Sequence, residues 1–171
     1  MGNNNFFFQK TINSIYQLTP FYKLKQKKKE RRNERKRLEK EKRETEIFEA
    51  ESRIVENVFN NEYVVRNGNF KGMKYIKCAS NSALLPKLLG SYEETIYGWV
   101  KEIIESKKYK DILDIGSAEG YYACGFALSL PESRVLAYDI DENARKNIKA
   151  LAELNNIKNI EIKEECTFDE L

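Results

Sequence analysis

The chain of 171 residues contains no histidine, and its three cysteines, Cys78, Cys124 and Cys166, lie far apart without a CxxC motif. Zinc is normally held by closely spaced cysteine, histidine and carboxylate ligands, so no metal site is predicted. The absence of histidine also excludes a Ser-His-Asp or Cys-His mechanism within this chain. Three scattered thiols are typical of reduced cysteines, which favours a cytoplasmic location.

Long apolar runs are also missing, and near the N-terminus the longest one covers only residues 6–8. Neither a transmembrane helix nor a signal peptide is therefore predicted. Gly2 is followed by Phe6 where a myristoylation signal requires Ser or Thr, which disfavours that lipid anchor.

The net charge of +3 conceals two segments of opposite sign. Residues 21–46 carry thirteen Lys or Arg against six Glu, whereas residues 47–171 carry sixteen basic against twenty-one acidic side chains. The basic character belongs to one segment, so it does not indicate that the remainder binds nucleic acid.

Residues 1–22 form a polar, aromatic N-terminal segment with weak helical spacing of its apolar residues. One interpretation is a contact of residues 1–30 with an anionic membrane surface, where aromatics insert and lysines meet lipid headgroups. The other interpretation, which we favour, is a frayed terminal segment that packs either on its own protein or on nothing.

Residues 23–60 are predicted to form a long charged helix, because residues 23–56 lack Gly and Pro and are rich in Lys, Arg and Glu. No heptad seam is visible, so a coiled coil is not supported. Nucleic-acid binding is disfavoured, since the glutamates would repel phosphate and stacking aromatics are missing from the basic run.

Residues 61–90 are predicted to contain a hairpin of two short strands and a connecting segment, because Asn67-Gly68 is a turn signal. A helix over 92–107 is expected next. Ser91 and Glu94 have the spacing of a capping box, and an apolar face follows at helical spacing.

Residues 91–171 form the last predicted segment. From residue 111 onward its sequence alternates between short apolar runs and helical patterns, which predicts strand, helix, strand, helix, strand. The fold class is therefore α/β with a parallel sheet, and Asp141 is the expected N-cap of the second helix. A further helix start, TFDE, stands at residues 167–170. A three-stranded sheet would leave an uncovered edge, so either a partner covers that edge or, as we favour, the domain is C-terminally truncated and only its first three strands are present.

The first of these strands, the loop after it and the start of the next helix have the sequence ILDIGSAEGYYA, residues 112–123. Open α/β sheets bind ligands at the carboxyl ends of their strands, which places Asp114, Gly116 and Gly120 at a ligand site. The dinucleotide motif requires glycines at positions 114 and 119, where Asp114 and Glu119 would repel a pyrophosphate. A cationic cofactor such as S-adenosylmethionine is the better match, and Asp139 after the second strand has the spacing that holds a ribose diol.

Three segments, ILDIGSAEGYYA, VLAYDIDENARKN and LAELNNIKNIEI, together resemble the class I Rossmann-like S-adenosylmethionine-dependent methyltransferases, and most closely the FkbM-like group. The upstream GNFKGMKY and LLPKLLGSYEET resemble the N-terminal extension of bacterial relatives. The resemblance covers residues 64–171 and implies a Rossmann-like sheet.

The resemblance assigns cofactor contacts residue by residue. It implies that the first motif frames the methionine end of the cofactor, that Asp139 holds the ribose, and that Tyr92 and Glu93 close over it. The residues that it implies as cofactor-binding are Asp114, Gly116, Ser117, Gly120, Tyr121, Asp139, Ile140, Glu165 and Cys166. Plain helix packing is the alternative for Tyr92 and Glu93.

The implied reaction is O-methylation of a sugar, glycan or small-molecule acceptor, with no catalytic base identified. Methyl transfer depends mainly on positioning, so cofactor binding alone does not specify the acceptor. The alternatives are a non-catalytic, truncated Rossmann-like interaction module and an NAD(P)-dependent oxidoreductase, the latter disfavoured by Asp114 and Glu119.

Overall fold

The computed structural model describes residues 20–78 and 84–167. The predictions for residues 1–19 and for a helix beginning within residues 168–170 lie outside these ranges. The elements in chain order are α1 Pro20–Val58, α2 Leu84–Leu89, a 3-10 turn Glu94–Ile96, α3 Tyr97–Ser106, β1 Asp111–Ile115, α4 Tyr121–Ser129, β2 Arg134–Tyr138, α5 Glu142–Leu154 and β3 Ile160–Lys163.

Helix α1 covers most of the segment predicted as a charged helix, with somewhat different bounds. It begins at Pro20, whose ring suits the first helical position, and it ends before Asn60 and Asn61, which adopt left-handed φ angles of 51° and 61°. The chain divides into two compact units between Glu46 and Ile47. None of the helices in the described ranges has both the length and the apolarity of a membrane span.

In the first unit, residues 20–46 of α1 are solvated and bear exposed ion pairs at helical spacing. Arg37 pairs with both Glu34 and Glu41, and Lys40 pairs with Glu44. Each exposed pair of this kind contributes only about 0.3–0.5 kcal/mol, so helix propensity and these small contributions together favour the helical state.

The second unit contains a three-stranded parallel sheet in the order β1-β2-β3, which confirms the α/β prediction. Leu113 is registered with Leu136, and Leu136 with Glu161. The residues of β1 are half-buried or exposed, and Ile115 is 62% exposed. In the described ranges no strand pairs with the outer edge of β1, which accounts for this exposure.

Helix α4 is buried on nearly all sides, because the sheet covers one face and residues 62–78 cover the other. The ring of Phe70 lies edge-on to Tyr121 and Phe126, with centroid distances of 5.3 and 5.6 Å. Gly125 allows this approach, since a Cβ atom there would meet the Phe70 ring at 2.5 Å.

Two predictions for residues 61–107 require correction. The hairpin of two strands is reduced to one antiparallel bridge between Val64 and Lys74. The helix predicted over 92–107 begins only with the turn at Glu94, and no side chain caps it. The capping box does not form, because the Ser91 amide, from which Glu94 would accept, bonds to the carbonyl of Pro86 in α2.

Two long-range side-chain contacts attach the surrounding segments to this unit. Glu51 of α1 accepts hydrogen bonds from the amides of Leu84 and Leu85 and so caps α2. Asn155, at the end of α5, accepts from the amide of Lys74 at 2.9 Å and donates to its carbonyl at 2.8 Å. Partners separated by 33 to 81 positions have no local sequence signal.

Candidate functional site

The loop of residues 116–120, called the glycine loop below, leaves the carboxyl end of β1 and turns across the end of β2. The amides of Gly116 and Ser117 both donate to the Tyr138 carbonyl, at 2.8 and 3.0 Å. Gly116 and Gly120 have φ angles of +81° and +93°, which disfavour any residue with a Cβ atom. A Cβ atom at position 116 would meet nothing within 4 Å, so this side of the loop is open.

Gly120 has a packing role between two helices. A Cβ atom there would lie 3.2 Å from the side chain of Ile148, on α5. The glycine therefore lets the start of α4 approach α5, and α4 follows directly with its N-terminal amides near the strand ends.

Asp139, just beyond β2, connects the two loops at this edge of the sheet. Its Oδ2 atom accepts from the Ala118 amide at 2.8 Å, and its Oδ1 atom accepts from the Asp141 amide at 2.9 Å. Asp141 caps α5 through the Asn143 amide, which confirms the N-cap prediction. An ionised carboxylate has about four acceptor positions, so two remain for further donors.

Asp114 presents an uncompensated acceptor at the same edge. Within the described residues its Oδ2 atom is buried and has no hydrogen-bond partner. Burial raises the pKa of this carboxyl above its usual range, and the charges of Asp139 and Glu93 raise it further. The Ser117 hydroxyl and the Ala123 amide offset part of this shift in the pKa. A carboxylate with one buried oxygen that accepts no hydrogen bond within the described residues fits a cationic ligand.

Tyr92 and Tyr122 bring aromatic surface to this edge. Their ring centroids lie 6.2 Å apart, and in the described ranges the buried Tyr122 hydroxyl has no hydrogen-bond partner. Burial, followed by the nearby Glu93 carboxylate, raises the pKa of both phenols. Glu93 itself is exposed and has a left-handed φ of 52°, so its position depends on the tertiary contacts of its neighbours.

The remaining predicted cofactor residues fall into three groups. Ser117 and Tyr121 are buried, and the Ser117 hydroxyl donates to the Asp114 carbonyl at 2.7 Å, so it braces the glycine loop. Ile140 is 81% exposed beside Asp139, where an adenine ring could cover it. Glu165 and Cys166 follow the end of β3, and within the described ranges no hydrogen bond joins them to Asp114 or Asp139.

Glu119 occupies a position that the sequence did not predict. Its side chain is fully buried, forms an ion pair with Lys87 of α2, and accepts from the Tyr75 hydroxyl at 2.9 Å. The expectation that Glu119 repels a pyrophosphate is wrong, because its charge is compensated by Lys87 inside the core. The objection to a dinucleotide therefore rests on Asp114 alone.

Comparisons of the chain with protein-family models, with curated proteins and with solved structures find no match.

Proposed function

We propose that this edge of the sheet binds S-adenosylmethionine and that the chain supplies the cofactor-binding part of a Rossmann-like methyltransferase. The observation that carries the proposal is the buried Asp114 Oδ2 atom without a hydrogen-bond partner in the described part of the chain. It lies beside an open glycine loop, at the carboxyl end of a parallel strand. A cationic ligand would compensate the desolvation of this carboxylate.

In this proposal, the residues at the ends of β1 and β2 bind different parts of the cofactor. Asp114 would hold the ammonium group with the glycine loop against the methionine chain, and Asp139 would accept from the ribose hydroxyls. Ile140 offers an apolar surface to the adenine. The bound cofactor would supply a methyl group on a sulfonium, and this chain would bind and orient it. An oxygen of a sugar, glycan or small molecule is the acceptor class that we propose.

An NAD-dependent oxidoreductase remains the competing enzyme, since Glu119 is compensated by Lys87. Asp114 argues against it, because a pyrophosphate would be repelled by a carboxylate whose buried Oδ2 atom accepts no hydrogen bond within the described residues. A non-catalytic interaction module would bind neither cofactor.

Calorimetric titration of the full chain with S-adenosylmethionine and, separately, with NAD distinguishes the methyltransferase, the oxidoreductase and the interaction module. We expect micromolar binding of S-adenosylmethionine only. Gly116→Ala should reduce its affinity at least about tenfold, because the new methyl enters the open side of the glycine loop.

Gly72→Ala is the matched control. Gly72 also has a positive φ, +92°, and no atom lies within 4 Å of a Cβ atom built there. Both variants should lose about 1–2 kcal/mol of stability from left-handed backbone strain, and only Gly116→Ala should lose affinity. Binding of NAD, or no binding of S-adenosylmethionine by the folded wild-type chain, would contradict the proposal.

A further inference from the structure

The ion pair between Lys87 and Glu119 is buried beneath the proposed cofactor site. The Lys87 and Glu119 side chains are 3% and 0% exposed, and the Tyr75 hydroxyl donates to the same Glu119 oxygen that Lys87 contacts. Neither charged group reaches solvent, so neither can touch a cofactor directly.

Lys87 also contacts two of the aromatic rings near the site. Its Nζ atom lies 4.7 Å from the ring centroid of Tyr92 and 5.9 Å from that of Tyr121. These distances are in the range of cation–π attraction. Tyr92 directly precedes Glu93, whose charge raises the pKa of the Asp114 carboxyl. Lys87 is thus the contact shared by the glycine loop, the segment that carries Glu93 and the start of α4.

A buried ion pair is a poor source of stability. The desolvation of two charges offsets most of their attraction, and uncharged replacements of similar size are often tolerated when both partners are changed together. What an ion pair provides is directionality. Glu119 is one of the residues of the glycine loop, so its ion pair with Lys87 determines the position of that loop relative to α2.

We infer that Lys87 is a positioning residue for cofactor binding, which anchors the glycine loop through Glu119 and holds the ring of Tyr92 next to that loop. The inference rests on the proposed function for its ligand, whereas the anchoring of the loop can be measured without any ligand. The anchoring of the loop and the effect on cofactor affinity both depend on the contacts of Lys87 with Glu119 and Tyr92.

The test uses the full chain and the double variant Lys87→Met/Glu119→Gln, which removes both charges and retains an acceptor for Tyr75. Hydrogen-exchange mass spectrometry reports on the peptide that contains residues 116–120, urea unfolding reports on the fold, and calorimetry reports on S-adenosylmethionine. We expect a cooperative urea transition, loop exchange at least about tenfold faster, and affinity at least about tenfold weaker.

The control variant, Arg134→Gln/Asp111→Asn, removes the ion pair at the opposite ends of β1 and β2. It should change neither loop exchange nor affinity. Glu119→Gln alone keeps an amide oxygen that accepts from Lys87 and Tyr75, but it leaves the buried Lys87 charge without its counter-ion, so it isolates the loss of the Glu119 charge. Its loop exchange should rise about threefold.

A folded double variant with wild-type loop exchange would overturn the inference. If the double variant does not fold, wild-type exchange in Glu119→Gln has the same meaning. If the wild-type chain binds no S-adenosylmethionine while the variants exchange faster, the proposed function fails and the anchoring of the loop stands.

Discussion

The Oδ2 atom of Asp139 accepts a hydrogen bond from the backbone amide of Ala118 at 2.8 Å. Ala118 has a left-handed φ of 49°, which is unfavourable for a residue with a Cβ atom. The bond therefore stabilises the turn of the glycine loop and joins the ends of β1 and β2. The same carboxylate is the proposed acceptor for the ribose, so its loss should affect both stability and binding.

Asp139→Ala should lower the free energy of unfolding by about 1–2 kcal/mol, because the amides of Ala118 and Asp141 lose their acceptor. It should also weaken the affinity for S-adenosylmethionine by at least about tenfold. Asp141→Ala is the matched control, since it removes a cap bond worth about 1 kcal/mol and should retain affinity. Urea unfolding and calorimetry measure the two effects, and equal affinities for the two variants would exclude a role of Asp139 in binding.

Asp114→Asn should stabilise the ligand-free chain and abolish cofactor binding. The wild-type carboxyl has a raised pKa in the folded state, so the ionised form is less stable there than in the unfolded chain. Asparagine removes that charge and the anion that a cationic ligand needs. Asp111→Asn, at the other end of β1, breaks only an exposed ion pair and should change stability by less than about 0.5 kcal/mol.

The pH dependence of Asp114 has opposite signs for stability and for binding. Since its folded-state pKa is raised, the destabilisation from this group is present at high pH and disappears as pH falls below the folded-state pKa. Affinity for a cation should fall over the same pH interval, as the carboxyl takes up a proton. Calorimetry over a pH series should show this loss in the wild type, and a wild-type affinity that rises on acidification would contradict it.

Gly125→Ala should lower the free energy of unfolding by about 1–2 kcal/mol, because the added Cβ atom would lie 2.5 Å from the buried Phe70 ring. The clash outweighs the gain in helix propensity. Gly98→Ala provides the comparison, since it lies in a helix with nothing within 4 Å and should gain about 0.5–1 kcal/mol. Two urea titrations suffice, and equal changes in the two variants would refute the packing argument.

Cys124 should resist alkylation while the chain is folded. Burial, followed by the Asp114 charge, raises the pKa of this thiol to about 12, so almost no thiolate is present at pH 8. Cys78 and Cys166 are partly accessible and serve as internal controls. Mass spectrometry after iodoacetamide treatment should find Cys124 modified only in urea, and rapid modification without urea would show that α4 opens readily.

The alternation of apolar runs and helical patterns predicts every strand of the described sheet. β1, β2 and β3 each lie within a short apolar run, and α5 begins after Asp141 as its cap requires. The long charged helix is likewise visible in residues 23–56, since an uninterrupted run of strong helix formers needs no partner to be recognised. These features depend on neighbours within a few positions.

The predictions that failed depend on distant partners. Ser91 and Glu94 have the spacing of a capping box, but the carbonyl of Pro86 in α2 accepts from the Ser91 amide instead. Glu119 has the position of a loop acid, yet Lys87 and Tyr75, 32 and 44 positions away, draw it into the core. Local sequence contains no record of such competition.

Sequence alone determined the parallel α/β order and the presence of Asp114, Asp139 and two glycines at strand ends, because hydrophobic period and residue type act locally. Tertiary structure decided which acids remain uncompensated. Asp114 keeps a buried oxygen without a partner in the described ranges, whereas Glu119, five residues later, is neutralised by Lys87. The free energy of a buried charge depends on what lies around it in space, and only the folded chain specifies those neighbours.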